Sequence, residues 1–354
     1  MSDLRMEELH PGTDHERVVF CRDVEAGYRG IIAIHSTVAG PALGGTRLWS
    51  YPREEDAVTD ALRLSRGMTY KNAMAGLPFG GGKSVILASE GMDREAVFLA
   101  HGRAVEQLGG TYITAEDVGT SPADMAILLR ETRYVGGLPD RSGDPSPVTA
   151  HGVAQAIRAA AFYRWGSDSL VGRTVTIQGC GSVGFHLARE LHDLGARLVV
   201  ADVDPGRVRR TVEATGAETV APDAIFDVAA DLFAPCALGG ILNEEIIPRL
   251  RVEIVAGAAN NQLGEPADGD RLRARGILYA PDYVINAGGV LGGGGRELLG
   301  WSEEETQVRV DGIYDTLLEV LRLADARDVA PHVAADRLAE ERLEALRRVR
   351  GDRE

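Results

Sequence analysis

Two lysines are the residues of this sequence best suited to acid–base chemistry. Lys71 lies in Met68–Ala73 and Lys83 in Leu77–Ser84, beside an apolar run and three successive glycines. Two cations held close together disfavour each other's charge, and partial burial acts in the same direction. One lysine is then a neutral base near physiological pH, while the other stays a cation that binds a substrate carboxylate. The competing interpretation is that both are ordinary surface lysines.

Other catalytic patterns in the sequence are weaker. Glu116 and Asp117 are adjacent acids at the end of a predicted strand, a pattern shared by functional sites, helix N-caps and surface pairs. Gly80–Ser84 resembles a nucleotide phosphate-binding loop, but that motif requires a glycine at the position of Leu77. The eight histidines do not show the spacing of a zinc protease, and we predict no metal site.

A second set of residues has the spacing of a dinucleotide-binding turn. The predicted strand Thr174–Gln178 runs into the Gly-x-Gly-x-x-Gly segment Gly179–Gly184, which opens an amphipathic helix. The glycines let a pyrophosphate approach the amide groups and positive dipole at the helix N-terminus. Asp202 follows the next predicted strand, where a carboxylate binds the adenosine ribose. A 2′-phosphate would face this carboxylate, so NAD is expected and not NADP; the alternative is a glycine turn that serves packing alone.

The predicted strands and helices that carry these residues alternate along the chain, and this alternation predicts an α/β fold. A chain of 354 residues exceeds the usual size of one hydrophobic core, so we expect two domains with a cleft between them. The boundary is placed at 140/141, in a stretch rich in Gly, Pro and Ser, and residues 141–330 have the pattern of a parallel, Rossmann-type sheet. The predicted strands are Val18–Cys21, Ile31–His35, Ser84–Leu87, Tyr112–Ala115, Thr174–Gln178, Arg197–Ala201, Asp231–Ala234 and Ile254–Gly257. The predicted helices are Glu54–Ser65, Arg94–Leu108, Ser121–Glu131, Glu303–Leu323 and Val333–Val349.

The composition disfavours several classes of protein. A net charge of -15 argues against a general nucleic-acid binder, which needs a positive surface. Three widely spaced cysteines without a Cys-x-x-Cys pair argue against a disulfide framework and fit a reducing compartment. The first residues lack a signal-peptide pattern, and no apolar run approaches the roughly 20 residues of a membrane span. We therefore expect a cytoplasmic protein without nucleic-acid or membrane partners.

Several longer segments together resemble the glutamate/leucine/phenylalanine/valine dehydrogenase family, and within it the leucine, valine and phenylalanine branch. The resemblance extends from Val18 to about Arg347. It implies that residues 1–140 form a substrate domain, that a C-terminal helix at 331–354 returns to this domain, and that the protein is a homo-oligomer. The landmark segments are GPALGGTRLW (Gly40–Trp49), MTYKNAMAGLPFGGGKSV (Met68–Val85), TAEDVGT (Thr114–Thr120), APCALGG (Ala234–Gly240), GAANNQL (Gly257–Leu263) and APDYVINAGGV (Ala280–Val290).

The resemblance implies an NAD-dependent oxidative deamination of an L-amino acid to its 2-keto acid and ammonia. Lys71 would bind the substrate carboxylate, Lys83 would activate the attacking water as general base, and Asp117 would relay protons to and from the substrate nitrogen. Asn261 would contact the substrate. The implied cofactor contacts are Gly179, Cys180, Gly181, Ser182, Val183, Gly184, Phe185, Asp202, Thr149, Ala234, Pro235, Cys236, Asn260 and Asn286.

The side-chain pocket that the family implies is apolar, which disfavours glutamate as substrate. Leu43 and Ala115 resemble the leucine and valine enzymes, whereas Leu291–Trp301 resembles the phenylalanine enzymes, with Gly293 where a larger residue usually narrows the pocket. We predict leucine or valine as substrate, with phenylalanine as the alternative within the family. A catalytically silent NAD-binding regulator is the alternative from another class. The implied pocket residues are Leu43, Gly44, Ala115, Val290 and Gly293.

Overall fold

The computed structural model describes residues 4–9, 12–138 and 143–351. The chain forms two compact units, and the α/β prediction is confirmed. The first unit comprises Met1–Gly143, Gly293–Gly300 and Ala339–Glu354, and the second comprises Asp144–Gly292 and Trp301–Leu338. The expected boundary at 140/141 and the end of the expected C-terminal segment, 352–354, lie outside the described residues.

The first unit is built on one sheet with helices packed on both faces. Alternation along the strands divides the apolar side chains, so that Ile31 lies in the cluster with Ala57 and Ile32 in the cluster with Phe98. The elements are β1 (Arg5–Glu8), β2 (Arg17–Asp23), β3 (Tyr28–Ser36), β4 (Ala42–Trp49), α1 (Glu54–Met74), β5 (Gly80–Leu87), α2 (Arg94–Gln107), β6 (Tyr112–Glu116) and α3 (Pro122–Leu128).

The strand order in the first unit is β1-β2-β3-β5-β4-β6. The pairs β1–β2, β2–β3 and β3–β5 are antiparallel, whereas β4 pairs parallel with both β5 and β6. Strands β2 and β3 contain the predicted segments Val18–Cys21 and Ile31–His35 and form a hairpin, with Gly27 at a φ of 63° in the turn. Because β4 lies between β5 and β6, residues of these three strands are neighbours in space although they are far apart in the sequence.

Two elements of the first unit extend further than their sequence pattern predicts. Helix α1 continues past the predicted end at Ser65 to Met74, so Lys71 lies in its last turn. Strand β5 begins at Gly80 and not at Ser84, so the three glycines are part of a strand and do not form a phosphate-binding loop. Glycine is required there because a Cβ at Gly81 would overlap the backbone of Thr69 on α1.

The second unit has an all-parallel sheet flanked by helices. Its strands are β7 (Thr174–Gln178), β8 (Arg197–Ala201), β9 (Glu218–Thr219), β10 (Leu232–Pro235), β11 (Ile254–Val255) and β12 (Leu278–Tyr279). Its helices are α4 (Ser146–Trp165), α5 (Ser182–Asp193), α6 (Pro205–Thr215), α7 (Ala267–Ala274), α8 (Asp282–Ile285), α9 (Gly288–Gly293), α10 (Glu303–Asp311), α11 (Ile313–Arg327) and α12 (Pro331–Gly351), with α9 ending and α12 continuing in residues of the first unit.

The strand order β12-β11-β10-β7-β8-β9 confirms the Rossmann-type prediction. The order reverses between β7 and β10, and in such sheets ligands bind beyond the carboxyl ends of the strands at this point. The single helix predicted over Glu303–Leu323 is instead two helices that meet at Gly312, a residue with low helix propensity. Within the described ranges, no helix has the length and apolar character needed to cross a membrane.

Candidate active site

Lys83 and Asp117 meet in the first unit. Lys83 lies on β5 and Asp117 directly follows β6, while β4 runs between these two strands and is parallel to both. The distance from Lys83 Nζ to Asp117 Oδ2 is 2.9 Å, and the Lys83 side chain is only 5% exposed. The structure therefore brings two of the three acid–base candidates into direct contact.

Burial and neighbouring charges set the protonation of this pair. Burial lowers the pKa of the Lys83 amine because the ammonium form loses its water, and the Asp117 carboxylate opposes this change without cancelling it. Burial raises the pKa of the Asp117 carboxyl, but the cations Lys83 and Arg47 outweigh that effect and hold the pKa below its ordinary value. An ionised acid thus lies beside a lysine whose neutral form is unusually accessible, as a general base requires.

Arg47 on β4 belongs to this cluster, although the sequence interpretation did not single it out. Its Nε donates a hydrogen bond to Asp117 Oδ2 at 2.9 Å. Arg47 is also a neighbouring cation that lowers the pKa of Lys83, the kind of effect that the sequence interpretation expected from Lys71. The spacing along the chain did not reveal Arg47, because its contact arises only when β4 is inserted beside β5.

A compositional signal for the two lysines was present in the sequence. The chain contains 38 basic residues, of which 36 are arginine and two are lysine, and both lysines lie in the predicted site. Lysine can release its proton when its surroundings favour the neutral form, whereas arginine stays charged. A chain that uses arginine at every other basic position weakens the interpretation of Lys71 and Lys83 as ordinary surface lysines.

Lys71 is held near β5 by the end of α1. It is partly buried in the last turn of that helix. The next residue, Asn72, donates its side-chain amide to the Gly80 carbonyl at 2.6 Å, which fixes the helix end against the start of β5. Lys71 and Lys83 therefore lie on adjacent, tightly packed elements of one unit.

Leu43, Gly44 and Ala115 lie on two neighbouring strands of the first unit. Leu43 and Gly44 belong to β4, and Ala115 lies on β6 one residue beyond the strand partner of Gly44. Leu43 is buried at 5% exposure. A side chain at Gly44 would overlap the Gly82 carbonyl, so glycine is needed for the close approach of β4 and β5.

The remaining pocket candidates belong to the segment around α9. Val290 lies on α9 in the second unit, whereas Gly293 is counted with the first. No described atom lies within 4 Å of a Cβ placed at Gly293, while one at Gly294 would lie 3.4 Å from Leu43 Cδ2 and 3.7 Å from Phe79 Cε2. Gly294 thus lies near both Leu43 and Phe79, and the sequence interpretation did not assign Gly294 or Phe79 to the pocket.

The glycine-rich turn of the second unit joins β7 to α5. Gly179 has a φ of 98°, which favours glycine, and a Cβ at Gly184 would overlap the Gly179 carbonyl. Asp202, after β8, closes the turn, because its Oδ2 accepts a hydrogen bond from the Cys180 amide at 2.6 Å. Its Oδ1 accepts one from the Asp204 amide at 2.8 Å. Helix α5 begins at the turn with Ser182, followed by Val183, Gly184 and Phe185.

The end of β10 lies against the same turn. Ala234 and Pro235 are the last residues of β10, and the Cys236 amide that follows donates to the Gln178 carbonyl at 2.7 Å. The Cys236 Cβ would lie 3.4 Å from a Cβ at Gly184. The reversal in strand order thus brings together predicted residues that are about 50 positions apart, as this type of sheet requires.

Asn260 and Asn286 form a polar pair in the second unit. Asn286 Nδ2 donates to Asn260 Oδ1 at 2.8 Å and to the Ala258 carbonyl at 3.2 Å. The Asn286 Oδ1 atom is buried and has no hydrogen-bond partner among the described residues. Asn261, next to this pair, has a φ of 52°. Thr149 lies on α4, where its hydroxyl donates to the Pro145 carbonyl at 2.9 Å and would be 3.0 Å from a Cβ at Gly289.

The second unit fits a nicotinamide dinucleotide, NAD or NADP. The glycines leave a side-chain-free cradle at the start of α5, where amide groups and the helix dipole favour a pyrophosphate. Asp202 places a carboxylate beside the cradle. A buried acceptor without a donor costs about 1–3 kcal/mol, so the Asn286 Oδ1 atom suits a ligand that brings an N–H group.

Comparison with known proteins matches both units. A family model described as the Glu/Leu/Phe/Val dehydrogenase dimerisation domain matches residues 15–134, and one described as Glutamate/Leucine/Phenylalanine/Valine dehydrogenase matches residues 202–351. The chain is 52% identical over 341 residues to a leucine dehydrogenase of Geobacillus stearothermophilus, covering 95% of this chain and 93% of that protein. It is 48% identical over 340 residues to a valine dehydrogenase of Streptomyces albus, covering 94% and 93%. The crystal structure of L-tryptophan dehydrogenase from Nostoc punctiforme has a TM-score of 0.86 at 46% identity, covering 95% of this chain and 97% of that chain.

The Rossmann-type unit and the unit with the buried lysine–aspartate pair define a dehydrogenase of the NAD(P)-dependent class. More particularly, the chain belongs to the glutamate/leucine/phenylalanine/valine dehydrogenase family. The family resemblance seen in the sequence is confirmed. The relatives named above are amino-acid dehydrogenases, which are oxidoreductases.

Proposed function

We propose that this protein catalyses the reversible, NAD-dependent oxidative deamination of leucine or valine to the 2-keto acid and ammonia. The observation that carries the proposal is the buried Lys83 amine, 2.9 Å from the Asp117 carboxylate. Its environment favours the neutral amine, which can accept a proton from water. The 52% identity to a leucine dehydrogenase supports the choice of substrate.

Each candidate residue has one task in this reaction. The Lys71 ammonium group binds the substrate carboxylate, and Asn261 contacts the substrate. When bound, the cofactor supplies the acceptor for the hydride that leaves the substrate Cα. Neutral Lys83 removes a proton from the water that attacks the resulting iminium carbon. Asp117 takes a proton from the substrate ammonium group before hydride transfer and returns it to the nitrogen after water has attacked. The carbon–nitrogen bond then breaks, ammonia departs, and loss of the hydroxyl proton to Asp117 leaves the carbonyl group of the 2-keto acid.

Asp202 supports NAD as the cofactor. Its carboxylate lies at the end of β8 and is oriented by the Cys180 and Asp204 amides. At this position a carboxylate binds the ribose hydroxyls of NAD and repels the 2′-phosphate of NADP. The cradle that holds the pyrophosphate is Gly179–Phe185, with Ala234, Pro235 and Cys236 beside it, and the nicotinamide end is bound by Thr149, Asn260 and Asn286.

The apolar pocket residues support a substrate with an aliphatic side chain, while one observation favours a substrate with a larger side chain. Leu43 is buried, and Ala115 and Val290 add no charged group that would bind glutamate. Against this, the open space at Gly293 favours phenylalanine as a second candidate substrate. Apolar pockets separate side chains that differ by a methylene by only about 1–3 kcal/mol, so activities on several amino acids overlap.

A panel of L-amino acids tests the proposal. The purified protein is incubated with NAD or NADP and each amino acid in turn, and NADH formation is followed by absorbance. We expect leucine or valine to have the highest kcat/KM. Phenylalanine in first place would transfer the proposal to the second candidate, and Gly293→Val should then restore the preference for leucine. Absence of turnover with every amino acid, with NAD binding intact, would favour the silent NAD-binding regulator.

We further propose that the enzyme is a cytoplasmic homo-oligomer. Residues 15–134 match a dimerisation-domain model, which supports self-association. Cys21, Cys180 and Cys236 are free thiols, which fits a reducing compartment. Light scattering during size-exclusion chromatography tests the first statement, and cell fractionation with an antibody against the protein tests the second.

A further inference from the structure

Two cations converge on a single oxygen atom of Asp117. Lys83 Nζ and Arg47 Nε each lie 2.9 Å from Asp117 Oδ2. The backbone of Asp117 is fixed as well, because its amide donates to Thr120 Oγ1 at 2.9 Å, and the Thr120 hydroxyl lies 3.0 Å from the Thr46 carbonyl. The carboxylate therefore has a defined orientation in which Arg47 and Lys83 share its charge.

The other end of the Arg47 guanidinium is anchored by Asp60 on α1. Arg47 Nη1 donates to Asp60 Oδ2 at 2.8 Å, and the Tyr51 hydroxyl donates to the same oxygen at 2.6 Å. Arg63 donates to the second oxygen of Asp60 at 3.1 Å. The Arg47 side chain is 19% exposed and that of Asp60 15%, so salt screens this ion pair less than it screens surface charges. Charged contacts thus run without a break from Asp60 through Arg47 and Asp117 to Lys83.

Charges of both signs act on Lys83 from the elements packed against β5. Arg47 on β4 disfavours the ammonium form of Lys83, whereas Asp117 after β6 and Asp60 on α1 favour it. The β3 residue paired with Lys83 is the uncharged Ala33. Further titratable groups on these elements include His35 on β3, whose Nδ1 lies 2.8 Å from Thr69 Oγ1, Tyr112 and Glu116 on β6, and Tyr70 and Lys71 on α1.

We propose that Arg47 is a positioning residue that fixes the Asp117 carboxylate against Lys83 and, together with Asp60, sets how readily Lys83 releases its proton. The inference rests on the proposed function, in which Lys83 acts as a neutral base. The Asp117 carboxylate favours the ammonium form of the buried lysine, which cannot accept a proton from water. Arg47 shares the negative charge of Asp117, and Asp60 limits the effect of Arg47.

The pH dependence of deamination tests the inference through two substitutions with opposite effects. Because the reaction needs neutral Lys83, kcat/KM rises with pH as that amine loses its proton. Arg47→Gln removes a positive charge, favours the ammonium form and should move this rise to higher pH by on the order of one unit. Asp60→Asn, which is isosteric, removes a negative charge and should move the rise to lower pH. General loosening of the site would lower kcat without shifts of opposite sign.

Arg53→Gln is the matched control. Arg53 makes an ion pair with Asp56 at 2.5 Å near the start of α1, but its side chain is 71% exposed. The same loss of one arginine charge there should leave the pH profile unchanged. Shifts of the same sign in Arg47→Gln and Asp60→Asn, or shifts no larger than that of Arg53→Gln, would overturn the proposal. Should Arg47→Gln fail to fold, an unshifted profile in Asp60→Asn is sufficient to reject it.

A direct titration of Lys83 separates this inference from the proposed function. Because the chain has two lysines, labelling with ¹³Cε-lysine gives two lysine side-chain NMR signals, and Lys71→Arg identifies the one from Lys83. The Lys83 titration midpoint should rise in Arg47→Gln and fall in Asp60→Asn, whatever the substrate. Shifted midpoints in an enzyme that oxidises no amino acid would refute the proposed function alone. Unshifted midpoints in an active enzyme would refute the role of Arg47 alone.

Discussion

At the scale of single residues, the proposed mechanism depends on an amine at position 83 that can lose its proton. Lys83→Met keeps the length of the buried side chain without the amine, and Lys83→Arg keeps a cation that stays protonated. Both variants should lower kcat by roughly 10²–10⁴-fold, the usual contribution of a general base. Steady-state assays with leucine measure the loss, with NAD binding and thermal unfolding as controls. Turnover of Lys83→Arg near the wild-type rate would contradict the role of Lys83.

Substitutions of Asp202 can distinguish the role of its negative charge from its structural role as a hydrogen-bond acceptor in the glycine-rich turn. Its carboxylate both faces the ribose in our proposal and accepts a hydrogen bond from the Cys180 amide at 2.6 Å. Asp202→Asn keeps an acceptor for that amide but removes the charge, whereas Asp202→Ala removes both. We expect both variants to lower the preference for NAD over NADP, and Asp202→Ala also to weaken the binding of either cofactor. Comparison of kcat/KM with NAD and NADP measures the change, and an undiminished preference in Asp202→Asn would remove the charge from this role.

The residues that sequence reasoning found are those with a local pattern. The glycines at 179–184 stand between a strand and an amphipathic helix, and Lys83 stands beside three glycines. Arg47 has no such pattern, since its two carboxylate partners lie 13 and 70 positions away. Its role follows from the position of β4 between β5 and β6, which the sequence alone did not predict.

At the scale of elements, the packing of α1 on β5 holds both lysines in place. A Cβ at Gly81 on β5 would overlap the Thr69 backbone on α1, whereas no described atom lies within 4 Å of a Cβ at Gly67, on the exposed side of α1. Gly81→Ala should therefore lower stability by about 1–3 kcal/mol through overpacking. Gly67→Ala should raise it by about 0.5–1 kcal/mol, because alanine favours a helix. Chemical denaturation measures both changes, and equal stabilities would show that close approach at Gly81 does not matter.

Close packing around β5 explains why the start of this strand differed from the prediction. Glycine disfavours strands when judged by propensity, so the sequence placed the start of β5 after the glycines and not at Gly80. In the structure those glycines are favoured because a Cβ at Gly80, Gly81 or Gly82 would overlap a neighbouring element. The overlapping groups would be the Ser36 carbonyl on β3, Thr69 on α1 and the Tyr112 ring on β6, respectively. Tertiary packing, which propensity does not include, decides the boundary.

At the scale of the whole molecule, the segment Gly293–Gly300 makes contacts with residues that are far away in the sequence. It begins at the last residue of α9, yet it is counted with the first unit, whereas the rest of α9 belongs to the second. The Glu297 carboxylate accepts hydrogen bonds from the Gly137 amide at 2.7 Å and the Leu138 amide at 3.3 Å. These contacts join positions 160 and 159 residues apart, and a pattern search along the chain cannot detect them.

Because the whole chain has two lysines, both in the candidate site, an amine-selective reagent can modify this site selectively. Apart from the amino terminus, Lys71 and Lys83 are the amines of a protein that has 36 arginines. Mild acylation with an N-hydroxysuccinimide ester should therefore modify those two side chains and the terminus, with partly buried Lys71 reacting before buried Lys83. Activity should fall as the lysines react, because acylation removes the cation at Lys71 and the base at Lys83. Mass spectrometry of peptides locates the acyl groups, and Lys71→Arg isolates the contribution of Lys83. Full activity after acylation of both lysines would exclude the proposed mechanism, whatever the substrate.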